Sequence, residues 1–163
     1  MKNKKNLFVV LMVIVIVAGM LVIAGCGEDN NSGDNKEKTI DPATLAADVV
    51  KNVKFEVEMT QIDSAYFDVY YTLAEGTNGV SYKAGGKLSD EITVFAATDE
   101  ANAKKDFESL KKYVDERKAT FADYAPAEVQ KLEKSYLIQK GKYVVLCVTN
   151  DIENAKTIID KAF

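Results

Sequence analysis

Glu91-Ile92-Thr93-Val94-Phe95-Ala96-Ala97-Thr98-Asp99-Glu100-Ala101-Asn102-Ala103-Lys104 is echoed 52 positions on by Tyr143-Val144-Val145-Leu146-Cys147-Val148-Thr149-Asn150-Asp151-Ile152-Glu153-Asn154-Ala155-Lys156. Each stretch is an apolar run, rich in β-branched and aromatic residues, that ends at a polar step. Such runs favour strands. Each then enters an Asp-x-x-Asn-Ala-Lys segment, where an aspartate heads a helical pattern. A carboxylate there accepts from orphan amides and suits the positive end of the helix dipole. Capping is therefore expected of both Asp99 and Asp151. Paired anion sites at the two helix starts are disfavoured, because carboxylates already hold those ends. Ala103, Phe107, Leu110, Val114 and Phe121 mark the buried stripe of a helix over 99–121. Ile152, Ala155, Ile158, Ile159 and Ala162 do the same for 151–162.

Each strand has a partner upstream. Residues 79–85 pair with 91–97 around a loop at 85–90, and 136–139 pair with 142–149 across Lys140-Gly141. The chain thus reads as two hairpin–helix units in tandem. Ahead of them, Asp41-Pro42 starts a helix carrying Leu45, Ala46, Val49, Val50 and Val53. Residues 55–59 alternate apolar and acidic, which predicts a short strand. Tyr66, Phe67, Tyr70 and Tyr71 fit one and a half turns of helix, and Pro126 opens a short helix through Val129 and Leu132. The expected fold is α+β: an antiparallel sheet packed by helices, two tandem ββα units behind an N-terminal helix, in one domain over 40–163.

The front of the chain is different. Lys2, Lys4 and Lys5 precede an apolar run over 7–24, which ends in Ile23-Ala24-Gly25-Cys26. A basic start, an apolar stretch and small residues before a cut site make a secretory signal. The run is about the minimum span for a bilayer core, but Gly25-Cys26 and the polar segment behind it favour cleavage. The tetrapeptide resembles a lipobox, the bacterial lipoprotein processing signal. That resemblance implies a signal peptide over 1–25 and a diacylglyceryl thioether on Cys26, which becomes the first mature residue. One acyl chain binds a membrane marginally, whereas two hold. Residues 27–38 contain no apolar side chain, so 26–39 reads as a disordered tether. A calcium loop there fails on spacing: position 12 is Ile40 counted from Asp29 and Thr39 counted from Glu28, where glutamate is needed.

Composition excludes several classes. Beyond residue 25 the chain has 18 basic and 25 acidic residues, a balance of −7. An acidic domain without a basic patch argues against nucleic acid and against gripping anionic lipid with its own surface. The chain has no histidine, which removes Ser-His-Asp and Cys-His catalysis and ordinary zinc sites. No phosphate-cradling glycine motif occurs. With Cys26 lipidated, Cys147 has no disulfide partner and sits in an apolar run, where it reads as a small buried hydrophobe. No cofactor and no metal are expected.

The 45–53 helix, Phe55-Glu56-Val57-Glu58-Met59, Glu91-Ile92-Thr93-Val94-Phe95 and its helix, and Gln139-Lys140-Gly141-Lys142-Tyr143-Val144-Val145-Leu146 with the terminal helix together resemble a domain-of-unknown-function family. Its members are small lipoproteins of low-GC Gram-positive bacteria. The resemblance spans about 41–163. It implies an extracytoplasmic lipoprotein with a compact α+β domain; the family has no assigned activity or catalytic residues, so none is carried over.

Tyr66, Tyr70, Tyr71 and Tyr82 are the candidate contacts for a ligand or partner. Exposed aromatics stack on sugars or anchor proteins, whereas buried ones are core, and the few charges in their segment favour core. The charged residues of 104–112 read as a solvated helix face, and Glu56 and Glu58 as a solvated strand face. The expected function is a non-enzymatic binding or accessory module, lipid-anchored through Cys26 at the outer face of the cell membrane, with an envelope protein as partner. The alternative is a binder of a small solute or cell-wall glycan.

Overall fold

The chain enters its first helix through Asp41, whose carboxylate accepts from the amides of Ala43 and Thr44 (3.4 and 3.1 Å) while Pro42 fills the first turn. The computed structural model describes residues 38–163. The signal segment 1–25, Cys26 and all but the end of the expected tether lie outside the described residues. In chain order the elements are α1 (Pro42–Asn52), β1 (Thr60–Ile62), a 3-10 turn (Ser64–Tyr66) running into α2 (Phe67–Tyr70), β2 (Asn78–Lys83), β3 (Glu91–Ala96), α3 (Glu100–Ala122), α4 (Pro126–Glu133), β4 (Tyr136–Lys140), β5 (Tyr143–Val148) and α5 (Ile152–Ala162). Among the described residues no helix is long and apolar enough to cross a membrane.

The five strands form one antiparallel sheet in the order β1-β2-β3-β5-β4, which confirms the α+β class. Val80, Ile92, Val94, Val145 and Cys147 meet α1 and α5 on one face. Phe95, Val144, Leu146 and Val148 meet α3 and α4 on the other, joined by Phe67 and Tyr71. Helices on both faces explain why β5 is buried at every position and reads as a continuous apolar run. Both hairpin–helix units are present, but their helices cover opposite faces. Val94 faces α1 and α5, while its counterpart Leu146 faces α3 and α4. A rotation about the centre of the sheet would keep faces, so it does not relate the two units. The β4–β5 turn centres on Gly141, at φ 52°, and Lys142, one residue later than expected. Glycine is also required at Gly79, where an added Cβ would lie 2.1 Å from the Val94 carbonyl oxygen.

Three local expectations are corrected. Residues 55–59 form no strand; the strand begins at Thr60. Side chains from the β5–α5 corner hold that segment instead. The Lys54 amide donates to Asp151, its carbonyl accepts from Thr149, and Asn150 donates to Glu56. Asp99 caps α3, accepting from the Asn102 amide at 2.8 Å, but Asp151 makes no cap bond to α5. Its carboxylate is spent on the Lys54 amide and the Asn154 side chain, both at 3.1 Å. Asp106, in the charged stretch expected to be solvated, is fully buried. It accepts from the Ala74 amide (2.6 Å) and the Thr77 hydroxyl (2.7 Å), pinning the loop before β2 to α3.

Candidate functional site

β2 ends at Lys83 directly opposite Glu91, the first residue of β3. Glu91 is fully buried, and a carboxylate in that position needs compensation. Five donors supply it. Tyr71 and Thr93 hydroxyls donate to Oε1, both at 2.8 Å. Tyr113 (2.8 Å), Arg117 (2.6 Å) and Lys83 (3.2 Å) donate to Oε2. Burial alone would raise the carboxyl pKa, but Lys83, then Arg117 and the two phenols, hold it below the usual range. Burial, reinforced by the Glu91 charge, pushes the Tyr71 and Tyr113 phenols up, so both remain donors. Two cations thus face one carboxylate. The surplus charge is met by π faces: Lys83 Nζ lies 4.8, 5.2 and 4.8 Å from the ring centroids of Tyr70, Tyr71 and Tyr113. Lys83 also contacts the Tyr113 hydroxyl. Burial lowers the Lys83 pKa, opposed by Glu91. Every acceptor position of Glu91 is occupied and none meets solvent. It is a clasp between sheet, α2 and α3, not a general base.

The preceding residue seeds a second cluster. Asp90 is buried and accepts from Lys131 of α4 at 2.6 Å. Lys131 also pairs with Glu56 (2.7 Å) and Glu128 (3.0 Å). Glu128 further accepts from the Ser89 amide and hydroxyl. Desolvation pulls the Lys131 pKa down, but the bonds from Asp90, Glu56 and Glu128 outweigh it and raise the value. Asp90 Oδ1 is buried without a hydrogen-bond partner. Glu56 and Glu58 are solvent-exposed as expected, though on no strand, and Glu56 also pairs with Lys131 and accepts from Asn150.

The four candidate tyrosines do not form one cluster. Tyr71 is core: its ring packs edge-on to Phe67, Phe95 and Tyr113, and its hydroxyl contacts Ser81 as well as Glu91. Tyr82 lies on the opposite face of the sheet, half-buried against the α1–α5 side, and donates to Gln61. Tyr66 and Tyr70 stay out of the core, with Val69 between them, at 60%, 42% and 71% exposure respectively. The reason is spacing. Positions 67 and 71 share the inward face of a single helical turn, while 66, 69 and 70 share the outward face.

The other side of the same turn faces a groove of about 630 Å³ lined by Phe67, Asp68, Tyr71, Leu73, Asn78 and Gly79. A hollow of about 410 Å³ adjoins it, with Gln61, Ile62 and Asp63 in its wall. The groove exists because β1 is short. It pairs only with Ser81–Lys83 of β2, so among the described residues 78–80 have no strand on that side. Cys147 is buried as expected, and burial raises its pKa, so it is an inert thiol. Among the described residues no group of His, Cys, Asp and Glu side chains is arranged to hold a metal.

Sequence reasoning missed Lys83, Glu91, Tyr113 and Arg117. One signal was present: Arg117 is the only arginine among 21 basic residues. Arginine is preferred where a buried carboxylate needs a cation that cannot lose its proton.

Comparison with known proteins gives one match. A family model described as a domain of unknown function, DUF4358, matches residues 51–149, a span that includes all five strands, both ion clusters and the groove. No curated protein matches, and no solved structure matches.

Proposed function

The chain belongs to the family described as domain of unknown function DUF4358, and from that premise we propose that it is a lipid-anchored binding module of the bacterial cell envelope, not an enzyme. The observation that carries the reading is one short turn that presents an exposed apolar ridge, Tyr66, Val69 and Tyr70, on one side and lines a groove on the other, above an interior whose charges pair with each other. Catalysis needs ionisable groups that reach a substrate. Glu91 and Lys131 reach only protein.

The anchor is the diacylglyceryl group on Cys26, in a lipoprotein exported by a low-GC Gram-positive cell. Residues 27–37 would then keep the domain within about 40 Å of the lipid at full stretch. Such confinement raises the effective concentration of the ridge toward any membrane-borne partner. A second reading, a binder of a small solute or cell-wall glycan, draws on the polar side chains of Asp68 and Asn78 in the groove and on two exposed rings able to stack on a sugar.

In-cell crosslinking with mass spectrometry, on the wild type and on Cys26→Ser, tests both. Membrane association and crosslinks to one envelope protein, both lost in Cys26→Ser, are expected. A chain that crosslinks to no protein but whose melting temperature rises with muropeptide favours the second reading.

A further inference from the structure

We propose that the open stretch of β2 beside the groove takes up an extended, basic segment of the partner protein as an added strand. This rests on the binding-module reading and specifies how the partner is held. β1 ends at Ile62, opposite Ser81, and the chain turns away at Asp63, whose carboxylate caps the 3-10 turn. Residues 78–80 continue beyond β1 for about 10 Å of strand, of which Asn78 and Gly79 line the groove while Val80 is buried. Among the described residues nothing pairs with them on that side.

Native proteins protect such edges with lysine, proline or a bulge. Asn78-Gly79-Val80 carries neither of those residues and pairs in unbroken register with β3. A strand added there would extend the line of β1 and take main-chain bonds from β2, as in other sheet-edge recognition. Alternate side chains of the incoming segment would then enter the groove over Phe67, Tyr71 and Leu73.

Charge selects the occupant. The walls of the groove and its adjoining hollow contain two carboxylates, Asp63 and Asp68, and no lysine or arginine. The nearest cation of the clasp, Lys83, is engaged with Glu91 and enclosed by three rings. An incoming segment that carries lysine or arginine meets a wall with two carboxylates and no cation, whereas an acidic one is repelled.

The test uses the full-length chain, isotope-labelled and held in detergent micelles, with three capped heptapeptides. One alternates valine and lysine, one replaces each lysine by glutamate, and one is the lysine peptide N-methylated on alternate residues. Amide NMR reads the site. Expected are shifts and slowed exchange at residues 62–63 and 78–80 with the lysine peptide. About tenfold weaker binding is expected for the glutamate peptide, and about threefold weaker for Asp68→Lys with the lysine peptide. The N-methylated peptide should not bind. The strand is overturned by any of three results: no response of those amides at millimolar lysine peptide, equal binding of the N-methylated peptide, or binding that emerges only after residues 1–37 are cut away. The last result would make the chain's own segment the occupant. In-cell crosslinks at Tyr70 alongside a negative peptide result would remove the strand while leaving the binding module standing.

Discussion

Replacing Glu91 by glutamine should destabilise the domain more than replacing its arginine partner, although Glu91→Gln is nearly isosteric and Arg117→Met is not. The charge balance of the clasp dictates the order. Wild type holds two cations around one carboxylate. Arg117→Met leaves Lys83 and Glu91 as a neutral pair, and the methionine keeps a stem against Tyr113 and Phe121, on which Arg117 now packs. What is lost is one charge-assisted hydrogen bond of 2.6 Å, about 1.5–3 kcal/mol. Glu91→Gln instead leaves two cations, both largely buried, without a counter-charge. Its amide nitrogen must also face donors whichever way it turns, because Oε1 and Oε2 each accept from at least two. Breaking a buried ion pair by removing one partner costs about 3–5 kcal/mol. Against a total stability of about 5–15 kcal/mol this is a large fraction. Urea unfolding, followed by far-ultraviolet circular dichroism and by the fluorescence of eight tyrosines in a chain without tryptophan, measures both variants. Arg117→Met costing as much as Glu91→Gln would refute the charge count and reduce the clasp to ordinary packing.

Other consequences are equally checkable. Glu91 and Glu128 are held below their ordinary pKa, so the unfolded chain binds their protons more readily. Their stabilisation is complete above the unfolded value of about 4.3 and is lost as the pH falls through the lower folded values; urea midpoints from pH 7 to 2.5 should drop steeply in wild type and less so in Glu91→Gln. Asp106→Ala should cost about 1–3 kcal/mol by orphaning the Ala74 amide, and hydrogen exchange at Ala74 should accelerate; unchanged protection there would contradict the pinned loop. Asp99→Ala should lower stability by about 1 kcal/mol through the lost cap of α3, whereas Asp151→Ala should speed exchange at the Lys54 amide and leave the first turn of α5 as protected as before. A thiol reagent applied to the Cys26→Ser chain should label Cys147 no faster than the protein unfolds globally; rapid labelling of the native state would mean that β5 opens locally.

Much of the fold was legible because local and tertiary signals agree in it. Val144, Val145, Leu146 and Cys147 read as a strand, and they pair as one because helices cover both of its faces. Asp41 and Asp99 read as caps and are caps. Where a polar side chain has two possible partners, sequence pattern gives no guidance. Asp151 resembles Asp99 in its local motif, yet the Lys54 amide, 97 residues away in sequence, claims it. The alternation of 55–59 fits a strand, but among the described residues no strand pairs with that segment, and side-chain bonds fix it instead. Asp106 sits among exposed lysines, and only the arrival of the 74–77 loop makes it interior. The tyrosines divide by helical phase, a matter of one residue in register that an aromatic-rich run does not reveal. The clasp was invisible because its members are spread from Tyr71 to Arg117 and meet only once α3 lies across the sheet.

That last property bears on how the domain forms and comes apart. Glu91 must shed its water while α2, β2, β3 and α3 converge, and its five donors come from segments that meet only when α3 is seated on the sheet, so a transition state short of that docking bears the desolvation cost without the bonds. The clasp then belongs to the native side of the barrier, and its loss should quicken unfolding far more than it slows folding. Interactions placed there lengthen the lifetime of the native state, as distinct from its equilibrium population, and so its resistance to proteases that act on the unfolded chain.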